Sequence, residues 1–289
     1  MAVRELSSAP SMRTLYPRAI AGAARFGLRR LPGVDGAERA LPDVRLTLKE
    51  MAIDREHLAE YDRVCGYRLR DVLPPTYPHL LAFPLSMELM TGSSFPFPVI
   101  GLVHVRNRIE LLCPIDAGDL LQISVWAADL REHERGTQFD VVAEAEARGQ
   151  PTWRSRSTYL HIERSSPGED GAERPQPPPV KAQWSLPGNI GRRYAAVSGD
   201  RNPIHLRKLT ARLFGMRRPI AHGMWLKARC VAALEGGLPD RCELDVSFKL
   251  PAYLPGKVSF ASWREEAGRG FALHDARNEK PHLRGAVRL

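Results

Sequence analysis

The chain of 289 residues carries a formal net charge of +9, which leaves room for two folded domains and suits an acidic partner such as a phosphorylated cofactor or carrier protein. Nucleic acid is disfavoured, because Arg outnumbers Lys 35 to 7 without any basic block or interleaved aromatic residues. The four cysteines contain no C-x-x-C pair, which argues against a structural zinc site and a disulfide scaffold and favours a reduced, cytoplasmic protein. No apolar run approaches the roughly 20 residues of a membrane span, and no secretory signal is recognisable.

Residues 1–43 are interpreted as an N-terminal arm. From Met12 to Leu31 several arginines alternate with apolar residues, which is typical of a basic amphipathic helix that could dock on a membrane surface or a carrier. The prolines at positions 10, 17 and 32 favour the plainer interpretation, a poorly ordered or loosely docked arm.

Residues 44–164 are predicted to form a first domain of the α+β class. A strand and a short helix come first, and then an apolar helix over residues 79–92 that Pro84 should break near its start. Four strand candidates rich in Val, Ile and Thr follow at residues 99–112, 119–134, 136–149 and 152–164. Residues 165–182, dense in Pro, Gly and charge, read as a linker.

Residues 183–289 repeat the same order, with a strand-like entry at Tyr194 to Val197, a short capped helix, a helix from about Ala221 to Leu234 and four strand candidates. Residues 61–66 match residues 194–199 at an offset of 133, and residues 114–118 resemble 251–256 at an offset of 137 to 138. Two matches in order indicate an internal duplication. At an offset of 133 Tyr67 faces Asp200 and Val72 faces His205, so a candidate acid/base pair is present in the second copy alone.

The segment from Asp200 to His205 carries that pair. Asn202 is a favoured N-cap and Pro203 suits the first turn of a helix, so His205 should lie in the first turn with Asp200 just ahead. The helix dipole favours the carboxylate and the neutral imidazole, which together can hold one water for general acid–base chemistry. An ordinary capped loop with a partly buried histidine explains the spacing equally well.

A second polar element, His222 and Gly223, opens the next helix. A glycine at a helix start leaves backbone N–H groups accessible to a carbonyl or an oxyanion. His222 by itself is more typical of a satisfied core or turn histidine. Phosphate-loop, dinucleotide-binding, nucleophile-elbow and H-E-x-x-H motifs are all missing. Asp200, His205 and His222 match the two-His, one-carboxylate set of a non-haem iron site, but such a site leaves the Asn-Pro cap and the glycine unexplained.

Residues 194–205 followed by 219–224, YAAVSGDRNPIH and PIAHGM, closely resemble the hydratase 2 motif of MaoC-like (R)-specific enoyl-thioester hydratases and (3R)-hydroxyacyl-thioester dehydratases. Residues 246–251 are similar to the strand that follows the central helix in that family, and the first half resembles the degenerate copy of its two-repeat actinobacterial members.

This resemblance implies a double hot-dog fold, in which each half is a sheet wrapped around one long helix and the halves pack as a pseudo-dimer; a homodimer of chains is left open. It implies that Asp200 and His205 hold the catalytic water, that the Gly223 N–H binds the thioester enolate, and that Ser198, Asn202 and His222 support them. The reaction would be reversible syn hydration of a trans-2-enoyl thioester. The substrate would arrive on CoA or an acyl carrier protein, with no metal or redox cofactor.

Two further hypotheses complete the expectations. A non-catalytic acyl-thioester-binding or scaffolding protein is the rival, although a pure binder has no need of the Asp200 and His205 pair. The degenerate first copy could also leave a tunnel for a long acyl tail above Tyr67 and along the helix from Leu80 to Met90, with apolar residues lining it: Ala82, Leu85, Met87 and Leu89.

Overall fold

A single 11-stranded sheet runs through the computed structural model, which describes residues 1–29, 39–163 and 178–289. Its strand order is β1-β2-β4-β5-β6-β3-β8-β11-β10-β9-β7. All neighbouring strands are antiparallel except β1 and β2. The order is mirrored about the β3·β8 pair, so each half of the chain contributes five strands in the same sequence, and β1 is an extra strand at one edge.

The N-terminal arm and the first half contain nine elements. They are β1 (Ala2–Leu6), α1 (Met12–Arg29), β2 (Val44–Ala52), α2 (Arg55–Cys65), α3 (Pro78–Met90), β3 (Leu102–Leu111), β4 (Leu120–His133), β5 (Gly136–Ala147) and β6 (Gln150–Ile162). Strands β4, β5 and β6 end close to the boundaries predicted from their Val, Ile and Thr content.

The second half repeats this order and has three additional short helical segments. Its elements are β7 (Val180–Leu186), α4 (Ile190–Ser198), a 3₁₀ helix (Pro203–His205), α5 (Lys208–Leu213), α6 (Gly223–Ala232), a second 3₁₀ helix (Glu235–Gly237), β8 (Cys242–Phe248), β9 (Gly256–Glu265), β10 (Gly268–Asp275) and β11 (Pro281–Arg288). In each half the sheet wraps around one central, largely buried helix, α3 or α6. This arrangement confirms the predicted α+β double hot-dog fold.

Three local predictions are wrong. The expected strand-like entry at Tyr194 to Val197 lies inside helix α4, where Tyr194 and Val197 are buried on one face. Helix α3 continues through Pro84, because its apolar side chains pack against β4 and β5 and this packing outweighs one missing backbone donor. The arm is not loosely docked, since β1 pairs with β2 and Leu15 of α1 is fully buried.

The predicted linker and the predicted end of the arm helix lie partly outside the described residues. Most of the proposed linker, residues 165–182, lies outside the described residues, and β7 begins at Val180. The predicted arm helix ran to Leu31, which is also outside them, and α1 is described as far as Arg29.

The two copies share equivalent helix ends and strand bridges, but the difference in residue number between equivalent positions is not constant. Helices α2 and α4 end at Gly66 and Gly199, which both adopt the left-handed conformation, at φ 82° and 72°, as the offset of 133 requires. Beyond this point Val72 bridges to Asp116 in the first copy as Ile220 bridges to Tyr253 in the second. The offset therefore grows from 133 to 148, and the second copy carries 15 additional residues after Gly199.

The predicted equivalence of Val72 and His205 is consequently wrong. Val72 corresponds to Ile220, and His205 lies within the additional segment, which has no counterpart in the first copy. The second copy thus differs from the first by an insertion as well as by substitution.

A buried lysine connects the central helix α6 to the β3·β8 strand pair, which is called the seam between the halves. The Lys227 ammonium is fully buried and donates to the Asn107 carbonyl at 3.0 Å, the Asn107 side-chain oxygen at 2.6 Å and the Leu244 carbonyl at 2.8 Å. Asn107 lies on β3 and Leu244 on β8, so one side chain bonds to both seam strands. Burial lowers the pKa of Lys227 well below its ordinary range, but the three acceptors match the three donors of an ammonium group.

We predict that Lys227→Met lowers the free energy of unfolding by about 3 kcal/mol, because buried acceptors on both seam strands lose their donor. Chemical denaturation measures the change, and Lys257→Met at an exposed position of β9 is the matched control, expected to shift stability by less than about 0.5 kcal/mol. An unchanged Lys227→Met stability would mean that the cost of burying the ammonium cancels its hydrogen bonds.

Candidate active site

The turn after α4 positions Asp200 and His205 through local hydrogen bonds. Gly199 ends the helix in the left-handed conformation, and the Asp200 N–H then donates to Ser198 Oγ at 3.1 Å. Asn202 caps the following 3₁₀ helix by accepting from the Ile204 N–H, with Pro203 at its first position, as the sequence predicts. His205 therefore lies in the first turn and is buried.

Asp200 is held through one of its two carboxylate oxygens. Its Oδ1 accepts from the Asn202 N–H at 3.1 Å and from the Tyr16 hydroxyl at 3.1 Å. Its Oδ2 lies 3.8 Å from His222 Nε2 and has no hydrogen-bond partner among the described residues. With 30% of the side chain exposed, this second oxygen is available to a water or a substrate.

The two histidines stack on each other at 3.7 Å between ring centroids, and each donates to a backbone carbonyl. His205 Nδ1 donates to Ile220 O at 2.8 Å, and His222 Nε2 donates to Asp200 O at 3.0 Å. These acceptors assign the tautomers, because a carbonyl can only accept. His205 consequently keeps a lone pair on Nε2.

Charge states in the site follow from burial and from the mutual proximity of these groups. Burial alone would raise the pKa of Asp200, but His222, His205 and the hydrogen bonds from Asn202 and Tyr16 together hold it below its ordinary value. Burial lowers the pKa of His205, with Asp200 opposing this effect. Burial, reinforced by His205, lowers the pKa of His222 to about 3. At neutral pH the site therefore contains a carboxylate and two neutral imidazoles.

Gly223 begins α6 within reach of this cluster. As the first residue of the helix its N–H has no intrahelical acceptor, and no described residue accepts from it elsewhere. A Cβ at this position would lie 3.1 Å from the Phe248 ring, so a larger residue would crowd the approach to the amide. The free N–H and the helix dipole make this a suitable place for a partial negative charge.

The non-haem iron alternative has a partial geometric basis. Asp200, His205 and His222 each offer one ligand atom, and these atoms lie within 4.8 Å of one another. His222 Nε2 is already engaged with the Asp200 carbonyl, which leaves only its Nδ1 to face a ligand. The hydrogen bonds thus orient the cluster toward proton transfer more directly than toward a three-ligand metal site.

A pocket of about 270 Å³ extends from the cluster between the two halves. Asp200, His205 and Gly223 lie along one part of its wall, together with the predicted strand end from Phe248 to Pro251. Both halves supply apolar lining, and the part that comes from the first half consists of Phe83, Met87, Met90, Val99, Ile100, Leu102 and Val103.

The predicted tunnel is wrong at Tyr67 and in most of its proposed lining residues, although the predicted helix does border the pocket through Phe83, Met87 and Met90. Of the residues proposed to line it only Met87 contacts the pocket, while Ala82, Leu85 and Leu89 are buried in the core. The space near Tyr67 is filled, because its ring stacks on Tyr61 and its hydroxyl bonds to Thr76 Oγ1 at 2.9 Å. The apolar space lies instead on the side of α3 that faces the catalytic segment.

Two pocket residues have no signal in the sequence. Tyr16 reaches Asp200 from the arm, which sequence reasoning placed outside the site. His104 on β3 lines the pocket with its ring 4.7 Å from that of Tyr159, and its Nε2 is buried with no partner in the described parts of the chain. A lone histidine in a strand and a lone tyrosine in an arm helix carry no recognisable spacing, so only tertiary contacts reveal them.

Comparison with known proteins agrees with this geometry. Residues 174–285 match the family model for the MaoC-like domain. The 3-hydroxyacyl-thioester dehydratase X of Mycobacterium tuberculosis is 37% identical over 277 residues, which cover 94% of this chain and 98% of that protein. The crystal structure of HtdX from Mycobacterium tuberculosis superposes with a TM-score of 0.76 at 35% identity, covering 84% of this chain and 99% of that one. A MaoC-like dehydratase from Phytophthora capsici shares the fold, with a TM-score of 0.70 at 18% identity over 88% of this chain and 98% of that one.

We predict that stability falls as the pH drops from about 6.5 toward 4, because the unfolded chain protonates histidines that the fold keeps neutral. Burial lowers the pKa of His104 to about 3 and that of His79 to about 4. His104→Phe should reduce the slope of the free energy of unfolding against pH, measured by urea denaturation, by up to about 1.4 kcal/mol per pH unit. His133→Phe on the β4–β5 turn is the control, and an equally steep slope in both variants would contradict the assignment.

Proposed function

The chain belongs to the MaoC-like 3-hydroxyacyl-thioester dehydratases, and from this premise we propose that it interconverts trans-2-enoyl thioesters and (3R)-hydroxyacyl thioesters in fatty-acid metabolism. It is a hydro-lyase. The observation that carries the proposal is the pair of free acceptors at the pocket wall, Asp200 Oδ2 and His205 Nε2, next to the unpaired Gly223 N–H. Two acceptors can hold one water by its two hydrogens, and the nearby donor can bind the thioester oxygen.

In the hydration direction the proposed steps use these three groups. Asp200 Oδ2 takes one proton from the water. His205 Nε2 accepts a hydrogen bond from the other O–H of the water and so orients it. The water oxygen forms a bond to C3 of the enoyl group, and the electron pair of the C2–C3 double bond moves onto the thioester oxygen as an enolate. The Gly223 N–H stabilises that oxygen. The proton on Asp200 then passes to C2 on the same face, which gives syn addition and restores the carboxylate.

The supporting residues act on the geometry of this pair. Ser198 accepts from the Asp200 N–H and Asn202 caps the turn, so the carboxylate is held at a fixed place ahead of the 3₁₀ helix. His222 stacks on His205 and bonds to the Asp200 carbonyl, which links the two reacting groups through a neutral ring. The low pKa of Asp200 and the lowered pKa of His205 keep the carboxylate ionised and the imidazole neutral, as the water-holding role requires.

The substrate is proposed to arrive as a thioester of CoA or of the phosphopantetheine arm of an acyl carrier protein, with no metal or redox cofactor. The apolar wall from the first half would receive the acyl chain. The two halves would then function as a pseudo-dimer, with one supplying chemistry and the other the acyl site.

We propose a cytoplasmic location for the protein. In the parts of the chain that the structure describes, no helix is long and apolar enough to cross a membrane. The four cysteines are free thiols, which supports a reduced, cytoplasmic location. No nucleic-acid partner is proposed, and the proposed functional unit is the pseudo-dimer within one chain.

We predict that Asp200→Ala and His205→Ala each lower kcat for hydration of crotonyl-CoA about 10²- to 10⁴-fold, because each removes one of the two groups that hold the water. Loss of the enoyl-thioester absorbance measures the rate. Tyr67→Phe, which removes a buried hydroxyl from the first copy, is the matched control and should retain the wild-type rate.

The same assay separates the alternatives. A non-catalytic thioester-binding protein would bind crotonyl-CoA without any loss of absorbance. A metal-dependent site would lose activity on dialysis against a chelator and regain it on adding divalent metal, whereas the proposed mechanism predicts an unchanged rate.

A further inference from the structure

The N-terminal helix α1 reaches the catalytic carboxylate. The Tyr16 hydroxyl donates to Asp200 Oδ1 at 3.1 Å and accepts a short hydrogen bond from the Arg201 N–H. Because its one proton is directed at the carboxylate, Tyr16 is an obligatory donor to Asp200. The ring also lines the pocket.

The packing of α1 fixes the place of this hydroxyl. Leu15 and Ala19 are buried on the same face as Tyr16, and Met12 lies against Gly199, where a Cβ would be 3.3 Å from its side chain. These four residues follow helical spacing, which makes one continuous contact face. On the adjacent side, Glu88 of α3 pairs with Arg18 at 2.6 Å.

The hydrogen bonds on Asp200 are divided between its two oxygens. Both donors, Tyr16 and the Asn202 N–H, bind Oδ1, so Oδ2 is the oxygen left for the water. Without the Tyr16 donor the carboxylate would lose half of this constraint and could exchange its oxygens by rotation about its side-chain bond. It would also lose a hydrogen bond that favours its ionised form.

We propose that Tyr16 is a positioning residue, and that the N-terminal helix completes the active site by holding the Asp200 carboxylate in its reactive orientation. The inference rests on the proposed hydration reaction. Burial and the neighbouring Asp200 charge raise the pKa of Tyr16 above its ordinary range, so the hydroxyl remains a donor throughout the working pH range.

The test is Tyr16→Phe, which keeps the ring and removes only the donor. We expect kcat for crotonyl-CoA to fall about 10- to 100-fold, the size expected for one charge-assisted hydrogen bond, with KM within about two-fold of wild type. The acidic limb of the kcat profile should move to higher pH, because the pKa of Asp200 rises. A merely structural role would not shift that limb. Tyr67→Phe is again the matched loss of a buried hydroxyl, and its profile should match wild type.

A second variant tests the same inference without altering the pocket. Glu88→Gln removes the ion pairs of α3 with Arg4 of β1 and Arg18 of α1, so α1 is held less firmly. The fall in kcat and the shift of the acidic limb to higher pH should then both be smaller than for Tyr16→Phe. Wild-type kcat and pH profile in both variants would overturn the role of Tyr16. Inactivity of the wild-type protein would instead overturn the proposed function.

A separate observation concerns the surface of α5. Leu209 and Leu213 of this helix are 73% and 77% exposed, and Phe214 beside them is 42% exposed. Residues 201–234 contain no Asp or Glu, and none of the six basic residues between 201 and 218 forms an ion pair with a described carboxylate; they are Arg201, Arg207, Lys208, Arg212, Arg217 and Arg218. We call Leu209, Leu213, Phe214 and these basic residues the α5 surface.

The α5 surface adjoins the pocket. Pro203 and Ile204 before the helix and Met216 after it line the pocket wall. An apolar centre with a basic border matches a partner protein whose docking face is apolar with an acidic border. Three exposed apolar side chains on a six-residue helix are few for stable membrane association. CoA has phosphates for the basic residues, but its apolar groups are small, so two exposed leucines one turn apart match a protein face better.

From these contacts we infer that the α5 surface docks the acidic acyl carrier protein that delivers the thioester. This inference also rests on the proposed reaction. The test compares crotonyl-loaded acyl carrier protein with crotonyl-CoA for the double variant Leu209→Ser and Leu213→Ser. KM for the carrier substrate should rise about 10-fold or more while KM for crotonyl-CoA stays unchanged.

Equal KM values for wild type and variant on the carrier substrate would overturn the docking inference. So would sedimentation of the wild-type protein with vesicles containing anionic lipid that is lost in the variant, because the surface would then be a membrane site. Turnover of crotonyl-CoA by the same preparations checks the reaction independently of docking.

Discussion

The seam between β3 and β8 is the constraint on which the rest of the structure depends. Asn107 on β3 pairs with Val246 on β8, and the strands join the two halves into one continuous sheet. Each central helix is wrapped by its own half of that sheet, and pairing of the strands brings residues of α3 and of the second half to one pocket. The apolar wall of α3 therefore faces the catalytic segment of the other half, and the pocket exists only because both halves are present. Lys227 reinforces this geometry by bonding to both seam strands from α6.

The two halves share a scaffold but differ at the place of the proposed chemistry. Gly66 and Gly199 end equivalent helices, and then the second half inserts 15 residues before the equivalent bridge at Ile220. The insertion contains Asn202, the 3₁₀ helix with His205, and α5. In the first half the corresponding space is closed by the packed rings of Tyr61, Tyr67 and Tyr77, and the hydroxyls of Tyr61 and Tyr67 both bond to Thr76 Oγ1. A space filled by packed rings does not need further hydrogen-bond partners. In an open pocket each polar atom of the wall must instead bond to a neighbouring group, a water or a substrate.

The site keeps its charge states through burial balanced by specific partners. Desolvation lowers the pKa of both histidines, and the neutral rings donate to Ile220 and Asp200 carbonyls. Desolvation also disfavours an ionised Asp200, but the surrounding donors reverse that effect. One donor comes from the adjacent backbone and one from α1, some 180 residues earlier in the chain. The reactivity of the carboxylate thus depends on the docking of an element that is outside both repeats.

The sequence by itself determined the α+β class, nearly all strand positions, the capped turn at Asn202 and the family, because these depend on local periodicity, turn chemistry and a short motif. It also placed Asp200 next to His205, since they are close along the chain, and the resemblance to the family implied that Gly223 joins them. Only the tertiary structure decided that Tyr16 and His104 reach the pocket, that Val72 is not the counterpart of His205, and that α3 borders the pocket through a different face from the one predicted. Those features depend on contacts between residues far apart in the chain and on an insertion that changes the repeat offset. No local pattern records either of them.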